Sequence, residues 1–378
     1  MTDDRLPSRL GKPNFIKKFA PLFLIILSCI FGILLVEAYC QLFFPLPEHG
    51  QDKAMRRVVF FDGGGAIFQN HGDIFTYDPH GEVRNFTGFF HDDDKLNVEY
   101  DYHFRTNNFG LVQDSDIAPG SPSLLLLGDS FTEGQGAEPW FRLVSPEIAK
   151  RGYQPVNGGL LATGFAQWLK LDRYLVAQNI RIEKIVVLFI SQDYHRPVTN
   201  IPPAVFQCLS APPLCRVDES YFYRLPPRED LPSWISKIRA ARGPTKLWLS
   251  ARAARLLPAS YHVYKYFKER LSQPAMFARA EQESDAAIGE LIRIYGPKNV
   301  AFIHLPEKDE IENGPSNLGL RARHSIEDAG GKLFDGFKLC RLTTADYYPN
   351  DEHPNSAGYA KIAACFTSVL KEMVAGAP

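Results

Sequence analysis

The chain has no surplus of cations: 42 Lys and Arg stand against 43 Asp and Glu, a formal net charge of -1. A nucleic-acid binder needs excess positive charge to displace counterions from phosphates, so nucleic acid is not an expected partner. Cysteine is scarce, six in 378 residues, and the spacing matches no zinc pattern. The acidic run Asp92-Asp93-Asp94 has no second cluster of oxygen ligands to complete a cation site and reads as a solvated loop. No metal or other cofactor is implied. No internal repeat is visible, which removes solenoids and propellers. What is present is ordinary for a globular protein, 45% apolar and 22% charged residues, with chain enough for one large domain or two smaller ones.

Charge is also missing locally. Residues 19–36, FAPLFLIILSCIFGILLV, form an uncharged run of 18 residues; as a helix it would cover about 27 Å, close to the hydrocarbon thickness of a bilayer. Arg5, Arg9, Lys12, Lys17 and Lys18 precede it, and the next cation is Lys53. That asymmetry predicts a cytoplasmic basic tail (1–18), a single membrane anchor (19–44) and an outward-facing remainder, the arrangement of a single-pass protein of a bacterial inner membrane with its bulk in the periplasm. Tyr39, Phe43 and Phe44 fall where interfacial aromatics sit. A cleaved signal peptide is the rival reading, but Val36-Glu37-Ala38-Tyr39 offers no small-x-small site. Lipoprotein processing at Cys29, after Ile26-Leu27-Ser28, is another, and a buried core helix a third. In an outward-facing domain Cys208, Cys215, Cys340 and Cys365 can form two bridges, most simply 208–215 and 340–365, or remain four buried thiols.

Residues 45–121 carry many aromatics and the turn Gly63-Gly64-Gly65, and read as an irregular extension with short strands, one of them at 98–106. From 122 to 378 strands and helices alternate. Strands are expected at 123–130, 153–157, 182–190, 299–306 and 332–337, and helices at 139–152, 164–179, 284–296, 316–329 and 356–374. Such alternation implies a parallel sheet covered on both faces, a flavodoxin-like three-layer α/β sandwich, with ligand groups at the carboxyl ends of the strands. A proline-rich then basic-aromatic insertion at about 196–275 interrupts the pattern; lid, membrane-surface helix and decoration are all open readings.

Two segments carry chemistry. Gly128-Asp129-Ser130-Phe131-Thr132-Glu133-Gly134 follows the first buried strand, and Asp351-Glu352-His353-Pro354-Asn355-Ser356-Ala357-Gly358 precedes the last helix. The topology puts both on the carboxyl edge of the sheet. Serine needs an adjacent base to act as a nucleophile, and a carboxylate to orient that base. Asp129 reads as a turn-stabilising residue, and His195, His262, His304 and His324 as surface or satisfied core histidines, with His195 the one nearest the site.

With its GDS and HPNxxG segments at opposite ends of one α/β domain, the chain resembles the SGNH, or GDSL-type, hydrolase family, in particular its single-anchor bacterial branch. The resemblance covers about 100–195 and 299–375 and includes the lead-in Thr106-Asn107-Asn108-Phe109-Gly110-Leu111. It implies a serine nucleophile, Ser130, and a base, His353. It also implies an oxyanion hole made by the N–H groups of Ser130 and Gly159 with the side chain of Gln192, which stands where the family has Asn. The family's usual triad acid would fall at position 350, here Asn350, so Asp351 is the candidate carboxylate. The implied reaction is hydrolysis of an ester, with an O-acetylated surface polysaccharide as the candidate substrate. An O-acetyltransferase using the same triad, and a non-catalytic glycan-binding or assembly protein, are the alternatives.

Overall fold

The computed structural model describes residues 15–43, 56–62, 68–72, 74–90, 96–137, 140–197, 257, 259–261, 263–264 and 274–374. Most of the expected insertion, the Cys208–Cys215 pairing, His262 and the acidic run at 92–94 lie outside the described residues. Two compact units are present: 1–54 with 244–272, and 55–243 with 273–378.

In the first unit the apolar run lies in helix α1, Phe15–Phe43. Glu37, just past that run, is buried, and its carboxylate accepts the backbone N–H groups of Ala259 (3.0 Å) and Ser260 (2.8 Å). Among the described residues no helix is long and apolar enough to cross a membrane; several side chains of α1 between 15 and 26 are not among them.

The second unit is built on five parallel strands: β6 (Ser123–Gly128), β7 (Gln154–Gly159), β8 (Ile182–Phe189), β9 (Val300–His304) and β10 (Lys332–Asp335), in spatial order β7-β6-β8-β9-β10. Taken in chain order this is 2-1-3-4-5, the flavodoxin-like order. Every residue of β6 is buried, because helices cover both faces. Leu124 and Leu126 pack on one side with α3 (Phe141–Ala149) and α9 (Ser356–Val374). Leu125 and Leu127 pack on the other with α4 (Phe165–Ala177), α5 (Pro274–Tyr295) and α7 (Asn317–Asp328). Successive side chains of a strand point to opposite faces, so a run of four leucines serves two cores at once. Three short helices, α2 (Ser130–Glu133), α6 (Glu310–Asn313) and α8 (Gly336–Leu339), lie at strand ends. Cys340 is disulfide-bonded to Cys365, which ties the end of α8 to α9.

Two expectations need revision. Helix α5 begins at Pro274 rather than at 284; its first turns, PAMFARA, run apolar residues together instead of spacing them on one face, so the apolar period is absent there, but Ala, Met, Arg, Glu and Gln are strong helix formers. The extension before the sheet is more regular than its composition indicated. Strands β1 (Arg56–Asp62), β4 (Glu82–Phe90) and β5 (Leu96–Arg105) form an antiparallel sheet in the order β1-β4-β5, and β2 (Phe68–Asn70) pairs with β3 (Phe75–Tyr77). Charged residues interrupt the apolar alternation of these strands but pair across them, as Arg84 does with Asp101 (2.7 Å).

Candidate active site

Gly128 ends β6, and the chain turns directly into α2. A Cβ on Gly128 would lie 1.9 Å from Thr132 Oγ1 and 2.5 Å from the Leu188 carbonyl oxygen, so only glycine lets α2 start this close to the sheet. Asp129 caps α2: its Oδ1 accepts the N–H of Phe131 (2.9 Å) and its Oδ2 accepts Arg196 Nη1–H (2.9 Å). Arg196 also pairs with the buried Asp193 (2.7 Å). Asp129 thus holds the turn, as the sequence indicated, with its charge balanced by Arg196.

Ser130 is the first residue of α2, and among the described residues nothing accepts its backbone N–H. His353 comes from the loop before α9. Its Nε2 lies 2.8 Å from Ser130 Oγ, and its Nδ1 lies 2.6 Å from Asp351 Oδ2. A carboxylate only accepts hydrogen bonds, so Nδ1 carries the proton and Nε2 presents its lone pair to the serine hydroxyl. The Asp351 side chain is fully buried and that of His353 is 15% exposed. The imidazole packs on Phe131 (ring centroids 5.5 Å), a wall supplied by the residue after the serine. Glu352, between acid and histidine, is exposed and in the left-handed region (φ 67°). For a side chain other than glycine or asparagine that is a local strain held by its surroundings.

The remaining expected residues separate. Asn350 does not face the histidine: its Nδ2 donates to Glu99 Oε1 (2.7 Å). Gly159 is not placed as an oxyanion donor. Its N–H is given to Asn157 Oδ1 (3.1 Å), and a Cβ there would lie 2.2 Å from the backbone nitrogen of Glu133. It is a close-packing glycine that lets β7 approach α2. Asn157 in turn donates to the Val112 carbonyl (2.8 Å), tying the lead-in segment to β7. Gln192 lies in the 3-10 turn Ser191–His195 after β8, on the same sheet edge as Ser130; it is exposed, and among the described residues its amide has no partner. His195 packs at a tilt against Phe277 (ring centroids 4.8 Å) rather than on Ser130, His353 or Asp351. His304 is a satisfied core histidine: Arg323 Nε donates to its Nδ1 (2.7 Å), Nε2 meets Ser191 Oγ (3.1 Å), and its ring stacks on Phe189. Burial, helped by the Arg323 charge, pushes its pKa down to about 3.

Several groups around the site carry no signal in the sequence. Glu133, three residues after Ser130, is fully buried with Tyr77 Oη 2.9 Å from Oε1 and the Leu161 N–H donated to Oε2 (2.8 Å). Burial pushes its carboxyl up to about 8 against those hydrogen bonds, with Asp129 adding to the rise. Tyr100 donates its hydroxyl to Asp351 Oδ2 (2.8 Å), and Glu99 accepts from the loop that carries Asp351. Both come from β5, some 250 residues from that loop in sequence, where no local pattern links them.

Chemically, a carboxylate, an imidazole and a hydroxyl in one line of hydrogen bonds can activate the hydroxyl for attack on a carbonyl carbon. No family model and no curated relative matches the chain. Solved structures similar to it include an acetyl xylan esterase from Geobacillus stearothermophilus (15% identity, 68% of this chain and 96% of that one, TM-score 0.33). They also include a psychrotrophic esterase from a Pseudoalteromonas species (12%, 67% and 99%, TM-score 0.33). A third is a member of the lipolytic G-D-S-L family from Veillonella parvula (12%, 66% and 99%, TM-score 0.33).

Proposed function

We propose that the protein is a serine ester hydrolase in which Ser130 is the nucleophile, His353 the general base and Asp351 the triad acid. The observation that carries this is the unbroken line Asp351 Oδ2–His353 Nδ1 (2.6 Å) and His353 Nε2–Ser130 Oγ (2.8 Å), at the carboxyl end of β6 where a parallel sheet presents its ligand groups. As Oγ attacks the ester carbonyl, Nε2 takes its proton and Asp351 stabilises the imidazolium. The proton then passes to the leaving alcohol, and water, activated by the same nitrogen, releases the acid from the acyl-serine. The N–H of Ser130 and the amide of Gln192 are the proposed oxyanion donors. The substrate class is a short acyl ester, with O-acetylated cell-surface polysaccharide the candidate for an outward-facing enzyme. α1 is proposed as a single membrane anchor that holds the domain on the periplasmic side of a bacterial inner membrane.

Incubating the protein with a chromogenic acetyl ester tests the reaction, and a fluorophosphonate probe tests the nucleophile. Ser130→Ala is expected to abolish both turnover and labelling while leaving the fold intact, because the hydroxyl meets the polar groups of His353 and Asp129 and adds little to the core. Persistent turnover in that variant would overturn the assignment. Adding a glycan acceptor separates the outcomes: acetate release marks a hydrolase, transfer to the glycan marks an acetyltransferase, and neither marks a binding protein.

A further inference from the structure

Strand β5 contains an irregularity where it passes the active site. Across the β4–β5 ladder Thr87 pairs with Tyr100 and the next residue, Gly88, pairs with Val98, so Glu99 has no partner. This is a β-bulge: one extra residue on β5, which turns neighbouring side chains toward the same side when a regular strand would send them to opposite faces. Both residues at the bulge reach the loop that carries Asp351 and His353. Glu99 Oε1 accepts the Asn350 N–H (2.8 Å) and Asn350 Nδ2–H (2.7 Å), and Oε2 accepts the Asp351 N–H (2.7 Å). The Tyr100 hydroxyl donates to Asp351 Oδ2 (2.8 Å), the oxygen that also accepts from His353, and accepts from Gln135 Nε2 (2.8 Å). Gln135 is anchored in turn, its N–H donating to the Ser130 carbonyl (3.0 Å). The hydrogen bonds close a ring: Ser130, Gln135, Tyr100, Asp351, His353 and back to Ser130.

We infer that Glu99 and Tyr100 are positioning residues of the active site, so that the extension before the α/β domain is part of the catalytic apparatus. This rests on the reading of Ser130, His353 and Asp351 as the reacting triad. The physical case is that a left-handed residue, Glu352, makes the 350–353 loop costly to hold, while the Glu99 carboxylate fixes two successive backbone donors of it. A second donor on Asp351 Oδ2 leaves one orientation for the carboxylate. Burial of that side chain removes the water that would otherwise compete.

The test uses the full-length protein, the chromogenic acetyl ester and the fluorophosphonate probe, with wild type and Ser130→Ala as references. Tyr100→Phe removes one hydroxyl and keeps the ring; Glu99→Gln removes one acceptor and turns a donor toward the loop. A hydrogen bond to a charged group is worth about 10- to 150-fold. Each variant is therefore expected to lower kcat by about tenfold or more, leave KM within about twofold, and slow labelling in parallel. Its melting temperature should stay above the assay range. A variant with unchanged kcat and labelling overturns the role of that residue. Activity that is lost only in proportion to folded protein, at unchanged kcat per folded molecule, overturns it as well. If Ser130→Ala itself turns over ester, it is the triad that has failed and not the bulge.

Discussion

At the scale of single residues, three neighbouring side chains, Asn350, Asp351 and Glu352, stand beside the imidazole in sequence, and the geometry separates them. Asp351 alone touches the imidazole; Asn350 is bound to Glu99, and Glu352 is exposed. Asp351→Asn turns an acceptor into a donor in front of Nδ1–H, which favours the wrong tautomer, and its expected cost is about 10³–10⁴ in kcat. Glu352→Gln should remain within about threefold of wild type, as expected of an exposed side chain. Asn350→Ala should cost less than Asp351→Asn, because Glu99 still holds two backbone N–H groups. A crippled Asn350→Ala beside a nearly normal Asp351→Asn would reverse the assignment. Gln192 is the second residue to settle. If its amide meets the oxyanion, Gln192→Ala lowers kcat by about 10²–10³, the usual cost of one such donor. A loss under threefold would leave the oxyanion to backbone donors. Gln192→Asn then reports whether the shorter amide suits the site better. That Ser130, His353 and Asp351 would be brought together could be read from the sequence because each is a chemical type in a short local motif. Gly159 was misread because a glycine that donates to a ligand and one that admits a close neighbour look the same in sequence. The N–H donated to Asn157 Oδ1 separates them.

At the scale of elements, α2 is one turn of helix carrying both Ser130, the proposed nucleophile, and a buried carboxyl. The consequence is a pH dependence of stability with a definite sign. Burial raises the Glu133 carboxyl to about 8 in the folded state, against an ordinary value of 4.5. Between those values the unfolded chain has lost the proton that the folded chain keeps. Stability from this group is therefore greatest below about pH 4.5 and falls as pH rises toward 8, by about 1.4 kcal/mol per pH unit. Glu133→Gln imitates the protonated group, since an amide oxygen can accept from Leu161 N–H and the NH₂ can donate to Tyr77 Oη. The variant is expected to match wild type in melting temperature near pH 5 and to exceed it increasingly toward pH 8.5. A difference that does not change with pH would show that the carboxyl is ionised throughout. His304 acts in the opposite sense. Its pKa of about 3 means that stability present above about pH 6.5 is lost as pH falls toward 3, so it does not obscure the alkaline comparison. β6, β8 and β9 were legible because each is a short, mainly apolar run, β7 and β10 because they fall between helices in the alternation, and α3, α4, α7 and α9 because their apolar faces recur at helical spacing. The β1-β4-β5 sheet was less so. Its strand stability comes from cross-strand pairs such as Arg84 with Asp101, and from a bulge whose value lies in contacts with a loop about 250 residues away. Interactions of that range leave no period in the sequence.

At the scale of the whole molecule, α1 is the element that bears on where the domain works. Leu24, Ile25, Leu27, Ile30, Phe31, Ile33 and Leu34 are all exposed, and at about 100° per residue they point around the whole circumference of the helix. A helix that is apolar on every side belongs in lipid or in a large core. Five cations before the run and none until Lys53 favour an outward orientation. Glu37 would stand at the outer end of the run, and its charge is met there by the Ala259 and Ser260 N–H groups; a carboxylate paired with backbone donors is far less costly near an interface than a bare one. The anchored protein should stay with membranes washed in high salt and in carbonate. A phosphatase reporter that works only after export, fused after residue 50, should be active, and one that works only in the cytoplasm should not. Added protease should digest the domain in spheroplasts but spare it in intact cells. Cys29→Ser distinguishes the rival attachment: a lipoprotein would lose its acyl group and its membrane association, whereas a spanning helix keeps both its mass and its place. Full-length protein recovered in the cytosol would remove the anchor and, with it, the reason to look for the substrate on the cell surface. The line from Asp351 to Ser130 would still call for an ester, but one found inside the cell.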